Sequence, residues 1–217
     1  MFPPRLMIAI VVLLLVSIWP VQYFAASLQA ARIEYDRNSL ISMLGNDLID
    51  NDPVADALLI RAEAGSQNLV SPEWLGLRRD RLAYVGKQGD EVVLIAVPFT
   101  VDDGFNDSLD LLVAFDMRGE IVAARVVAEP LQPGLMGGLT FLESRWMREF
   151  SGMASRDLKR PSWQGIAADD GVDQFVGASI TPKAVAAGMY DALLFFQSNR
   201  MMLVQGDPSL RPDHSPE

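Results

Sequence analysis

The sequence predicts an α+β fold: a small antiparallel sheet with flanking helices, preceded by one N-terminal transmembrane helix. Three observations carry this expectation. An apolar run without a single charge extends from Leu6 to Ala26, three strand-like runs lie between residues 81 and 127, and helical periodicity appears on both sides of those strands. Strands grouped together with helices at either end belong to a sheet of neighbouring hairpins, not to an alternating β-α fold.

The N-terminal run, LMIAIVVLLLVSIWPVQYFAA, has the length of a bilayer span, since roughly 20 helical residues cross the ~30 Å hydrocarbon core. Trp19 and Tyr23 stand near its outer end, where amphipathic rings favour the headgroup level. Arg5 is the only charge ahead of it, so the positive-inside rule puts the N-terminus in the cytoplasm and exports the rest. A cleaved signal peptide, with FAA or LQA at the cleavage site, and a buried core helix are the alternatives.

Residues 27–49 read as a helix with Ile33, Leu40, Ile41, Leu44 and Leu48 as its apolar positions, and 54–64 as its resumption after the break at Asn51-Asp52-Pro53. RLAYVGK (81–87) and EVVLIAVPFTV (91–101) are separated by QGD, and the run 108–127 is split by MRGE, both hairpin signals. A Pro/Gly-rich loop at 129–138 precedes a short helix, FLESRWMREFSG. The last helix opens at TPKAV and carries Val185, Met189, Leu193 and Phe196 on one stripe. The expected divisions are an anchor over 1–26, a helical stalk or linker over 27–79, a folded domain over 80–200 and a disordered tail over 201–217.

Composition removes whole classes of chemistry. There is no cysteine, and the single histidine, His214, falls in the polar tail. Disulfides, thiolate nucleophiles and Cys/His metal centres are therefore excluded or nearly so. Beyond residue 26 the chain holds 17 basic against 28 acidic residues, a net charge of -11. Nucleic acid needs a basic face, so it is not expected as a partner.

DQFVGASITPKAV (173–185) places a glycine and two hydroxyls at a helix entrance. Two readings are open. Thr181 is a good N-cap and Pro182 a favoured first helical residue, which makes the stretch a helix start and no more. The same geometry presents unpaired N–H groups and partial positive charge, which suits a phosphate beside Ser179.

Asp173-Gln-Phe-Val-Gly-Ala-Ser179 resembles the D-x-x-(S/T)-G-A-(T/S) signature of FMN-binding domains that are covalently flavinylated. GEIVAARVVAEPLQPGLMGG is similar to that family's strand followed by its Pro-Gly-Leu loop, with Pro133, Gly134 and Leu135 at the centre. WMREFSG resembles the aromatic-bearing helix after the loop, and DDGFNDSLDLLVAFD its first strand motif. Order, spacing and anchor resemble the G subunits of Rnf-type electron-transport complexes. The resemblance implies FMN joined through its phosphate to Ser179, with Asp173 as part of the flavin transferase's recognition signal. Gly177, Ala178 and Thr181 then shape the phosphate cradle, and Pro133, Gly134 and Leu135 lie near the ring; Trp146 and Trp163 are aromatic candidates for stacking. It further implies an electron-relay subunit of a ferredoxin:NAD⁺ oxidoreductase, no self-contained catalytic site, iron–sulfur or flavin partner subunits, and a periplasmic domain on the bacterial inner membrane. The C subunit of the Na⁺-translocating quinone reductase shares the signature, and a scaffold that has lost its flavin is a third possibility. The departures from the pattern are Val176 for Ser or Thr, Leu131-Gln132 for Glu-Thr, and Met136 for glycine.

Overall fold

The computed structural model describes residues 28, 30–31, 33–45, 47–63, 65–102, 108–128, 140–142, 146–154 and 182–212. The expected anchor, residues 6–26, lies outside them. Among the described residues no helix is long and apolar enough to cross a membrane.

Among the described residues, six strands form one antiparallel sheet in the order β1-β2-β3-β4-β5-β6. They are β1 (Leu58–Ile60), β2 (Arg81–Gln88), β3 (Glu91–Asp102), β4 (Ser108–Asp116), β5 (Ile121–Ala128) and β6 (Thr140–Leu142). Helix α1 covers 33–44, with residues 28, 30 and 31 also helical, and α2 is Pro182–Gln205. Both hairpins form at the expected turns. Gln88 pairs with Glu91 around Gly89, whose φ of 61° suits glycine. In the second, the Asp116 carboxylate accepts from the Arg118 and Glu120 amides, 2.8 Å each.

Alternation along β3 and β4 sorts side chains to two cores. Ile95, Val97, Phe99, Leu111, Val113 and Phe115 face α2, where the stripe Val185, Met189, Leu193 and Phe196 is fully buried as expected. Leu94, Ala96, Leu112 and Ala114 face the other way with Leu40, Met43 and Leu44 of α1. A sheet covered on both faces explains why β3 reads as a nearly continuous apolar run. Pro98 is tolerated inside β3 because the β2 ladder ends at the Tyr84–Ala96 pair, so no β2 partner is lost there. Beyond β1, Asn51 seals the free edge of β2: its side chain donates to the Val85 carbonyl (2.8 Å) and accepts from the Lys87 amide (2.7 Å).

Three expectations are corrected. Residues 54–64 do not resume a helix: the Asp52 carboxylate accepts from the Val54 amide (3.1 Å) in a turn, and Leu58–Ile60 then pairs with β2. FLESRWMREFSG is not one helix either. Thr140–Leu142 takes the open edge of β5, leaving a 3₁₀ turn at Trp146–Phe150. The tail expected from 201 begins later, since α2 continues to Gln205, Gly206 (φ 62°) ends it, and Leu203 and Leu210 are buried. The segment 27–79 also supplies core residues, from Leu40 to Leu75, whereas Ile33, on the same α1 stripe, is 46% exposed.

Candidate functional site

The register defines two ends of the sheet. Asp102 pairs with Ser108, and Ala128 with Thr140, so the chain leaves and re-enters β3, β4, β5 and β6 at one common end. The direction of α2 brings its start there too. A Cβ on Gly188 would meet Val101 and Phe99 at 2.8 and 3.1 Å, while Arg200 donates to the Met117 carbonyl (2.9 Å) at the opposite hairpin end. Residue 182, six positions before Gly188, therefore lies roughly 9 Å further toward the Asp102 end. Pro182 is the first residue of the helix, and its first turn carries no acidic side chain.

None of the residues expected to hold the phosphate or border the ring through these motifs is itself described, apart from the helix start they lead to. Pro133, Gly134 and Leu135 belong to the connection between Ala128 and Thr140; Asp173, Gly177, Ala178, Ser179 and Thr181 belong to the stretch that ends at Pro182. Trp163 also lies outside the described residues, as does His214. Trp146 opens the 3₁₀ turn beside β5, and its side chain lies outside the described part. What the fold brings together is the flanks of the two motif-bearing segments and of the connection between β3 and β4.

The same end carries a polar cluster that no motif announces. Asp110 on β4 accepts from Thr100 Oγ1 at 2.6 Å and is paired with Arg81 and, at 3.2 Å, with Arg79. Arg78 is paired with Asp102. The Arg81 and Asp110 side chains are largely buried, and they tie β2 to β4 where the β2–β3 ladder has stopped. The signal was R-R-D-R at 78–81, three arginines in four residues of an acidic chain.

Elsewhere a groove of about 710 Å³ lies between α1 and residues 49–51, lined by Asn38, Ile41, Ser42, Ile49, Asp50 and Asn51. It sits toward the opposite, hairpin end, where the Asp50 carboxylate already accepts from the Gly89 amide (2.9 Å). Asn51 is likewise occupied on the β2 edge, so the groove offers few uncommitted polar groups. Among the described residues no group of His, Cys, Asp or Glu side chains could hold a metal ion.

Comparison with known proteins falls on the same part of the fold. The FMN-binding domain family matches residues 104–194, from the β3–β4 connection into α2. The G subunit of the ion-translocating oxidoreductase complex of Pseudomonas aeruginosa (strain UCBPP-PA14) is 30% identical over 184 residues, covering 84% of this chain and 81% of that one. The protein of the same name from Shewanella loihica is 29% identical over 167 residues, covering 76% and 74%. That from Vibrio atlanticus is 29% identical over 178 residues, covering 79% and 80%. With that identity spread over most of both chains, this chain belongs to the family of ion-translocating oxidoreductase complex G subunits.

Proposed function

We propose that this chain is the flavin-carrying electron-relay subunit of an Rnf-type ion-translocating ferredoxin:NAD⁺ oxidoreductase, with FMN joined by a phosphoester to Ser179. The observation that carries the reading is the match of the FMN-binding domain family to 104–194, whose segments flank one end of the sheet. The chemistry of that end fits an anionic group. A helix of 24 residues begins at Pro182 with no carboxylate in its first turn, so its N–H groups and partial positive charge are not spent on an acidic side chain of that turn.

In this reading Ser179 supplies the linking oxygen and Asp173 is read by the flavin transferase. Gly177 and Ala178 allow close backbone approach to the phosphate, and Thr181 caps the helix behind it. Pro133, Gly134 and Leu135 border the ring, which Leu131 and Met136 make more apolar than the family pattern. Bound FMN supplies the one- and two-electron chemistry that a chain without cysteine does not have. The protein's own part is to hold the group, exclude water and set its electrostatics. Residues 6–26 anchor the chain in the bacterial inner membrane with the domain on the periplasmic side, beside iron–sulfur and flavin partner subunits.

The test is the intact mass of the protein from its native membrane, with a peptide map over 173–185. A gain of FMN less one water on Ser179, abolished in Ser179→Ala, is the expected result. An unmodified chain from a host with an active flavin transferase would sink the covalent relay.

A further inference from the structure

The loop from Val70 to Gly76 is held more firmly than a connection between two strands requires. Asn199 of α2, 1% exposed, reaches it with both ends of its amide: Nδ2 donates to the Val70 carbonyl (2.9 Å), and Oδ1 accepts from the Val70 amide (2.7 Å). Ser71 adopts a left-handed conformation, φ 50°, among the described residues the only one that is not glycine to do so. Such strain persists where the surroundings enforce it and gathers at functional positions. At the other end Gly76 lies against β3, where a Cβ would come within 2.6 Å of the Thr100 carbonyl oxygen. Leu75 is buried between these anchors.

All of this holding faces inward, yet the loop's two other large apolar side chains face out. Val70 is 52% exposed and Trp74 38%. On the same side stand carboxylates that have no cation among the described residues. Glu73 makes no ion pair or side-chain hydrogen bond among the described residues, whereas Arg37, Arg78, Arg79, Arg81 and Lys87 each face an acid. Asp191 lies eight residues before Asn199 on α2, turned from it by roughly 80° and away from the flank on which Arg200 meets the Met117 carbonyl. That turn puts it on the flank away from the β4–β5 hairpin, and α2 packs against the 3₁₀ turn Pro72–Leu75 of the loop. Asp191 too has no partner among the described residues, and burial raises its carboxyl above the ordinary range.

We propose that the Val70–Gly76 loop and the adjoining flank of α2 form the docking surface for another subunit of the oxidoreductase complex, one that presents an apolar side chain flanked by lysine or arginine. Charge complementarity selects this occupant. The surface combines an exposed aromatic with two carboxylates that have no cation among the described residues, on a domain of net charge -11 beyond residue 26. Trp74 offers apolar area and a cation–π face, the two contributions that make tryptophan and arginine frequent interface anchors. Fixing the loop in advance through Asn199 and Gly76 removes the ordering cost that binding would otherwise carry.

The experiment is purification of the whole complex from detergent-solubilised membranes through a tag on a different subunit, measuring the molar ratio of this chain retained at low and high salt. Trp74→Glu lowers that ratio at least tenfold, Glu73→Lys lowers it and weakens its salt dependence, and Met201→Glu, on the exposed outward face of α2, leaves it unchanged. Wild-type retention of Trp74→Glu overturns the proposal. So does loss of covalent FMN by intact mass in that variant, which would assign the loop to the flavin instead, and so does loss of self-association in sedimentation, which would assign it to a second copy. If Trp74→Glu lowers the melting temperature, Val70→Glu decides in its place. Because FMN content is read separately, absence of flavin in the wild-type chain would refute the relay reading without touching this one.

Discussion

Asn199→Ala tests how much the packing of the domain depends on one non-local contact. Asn199, 1% exposed, is far more deeply buried than the Arg81–Asp110 pair, and it spends its amide on Val70 and, from Nδ2, on the Phe195 carbonyl at 2.9 Å. The Phe195 carbonyl keeps its helical acceptor role in the variant, so little is lost there. The Val70 amide and carbonyl lose their partners outright, and a buried orphan costs about 1–3 kcal/mol. Val70 is half exposed, so water offsets part of this, and the two together should cost about 2–3 kcal/mol. For a protein of this size that is a fall in Tm of roughly 4–12 °C. Urea unfolding of the full-length protein in detergent, followed by tryptophan fluorescence, gives the value, with m unchanged. A loss below about 0.5 kcal/mol would mean that the Val70 backbone is solvated without Asn199, and the latch would not be what fixes the loop. Asn199→Asp adds a pH arm. Its carboxylate still accepts from the Val70 amide but repels two carbonyls, so its folded pKa is raised. Stability is therefore greatest below the unfolded pKa and is lost as pH rises through the folded one.

Three further outcomes follow from the same structure. Gly86→Ala sets a methyl within 2.6 Å of both Ile49 and Leu94 across the α1 face, which should cost about 1–3 kcal/mol and be partly relieved by Ile49→Ala in a double-mutant cycle. Asp191→Asn should raise Tm at pH 7: burial raises the Asp191 pKa, so its ionised form lowers stability as pH climbs, and the gain should vanish below about pH 4 in melts taken across pH. Ser179→Ala should remove the flavin mass without changing the stability of the apoprotein by more than about 1 kcal/mol, because its expected role is attachment; a collapse of the fold would make it a structural cap instead.

The strands were legible because their signals are local. β2, β3, β4 and β5 each satisfy period-two patterning or a long β-branched run, and the turns Gln88–Asp90 and Met117–Glu120 carry glycine at the left-handed position. β1 and β6 were misread for a physical reason. Each has three residues, too few to show a period, and each exists only because a neighbouring strand offers a free edge. Ile33 shows the converse. Its position on the α1 stripe is that of a core residue, but its exposure depends on where the neighbouring structure ends, which no helical wheel contains. The Asn199 latch and the Arg81–Asp110 pair join residues 129 and 29 apart, so neither leaves a local trace.

The candidate site divides along the same line. The motifs proposed for it are short and local, and the helix start at Pro182 was expected from the Thr-Pro pair at 181–182, which is why sequence reasoning could propose a phosphate-binding entrance there. The proximity of the motif-bearing segments is another matter. Pro133–Leu135 and Ser179 are far apart along the chain; the flank of the first lies at the end where Asp102 pairs with Ser108 because Ala128 pairs with Thr140 there. The path of α2 over Phe99 and Val101 then directs its start to that end, and this depends on Gly188, whose missing Cβ lets helix and sheet approach. A one-residue slip in the β5–β6 register would exchange the two faces of β6 and carry the 129–139 flank with it. A site assembled in this way is specified by strand register and one close helix–sheet contact, so substitutions at Gly188 or in β6 should change flavin content while leaving every motif residue intact.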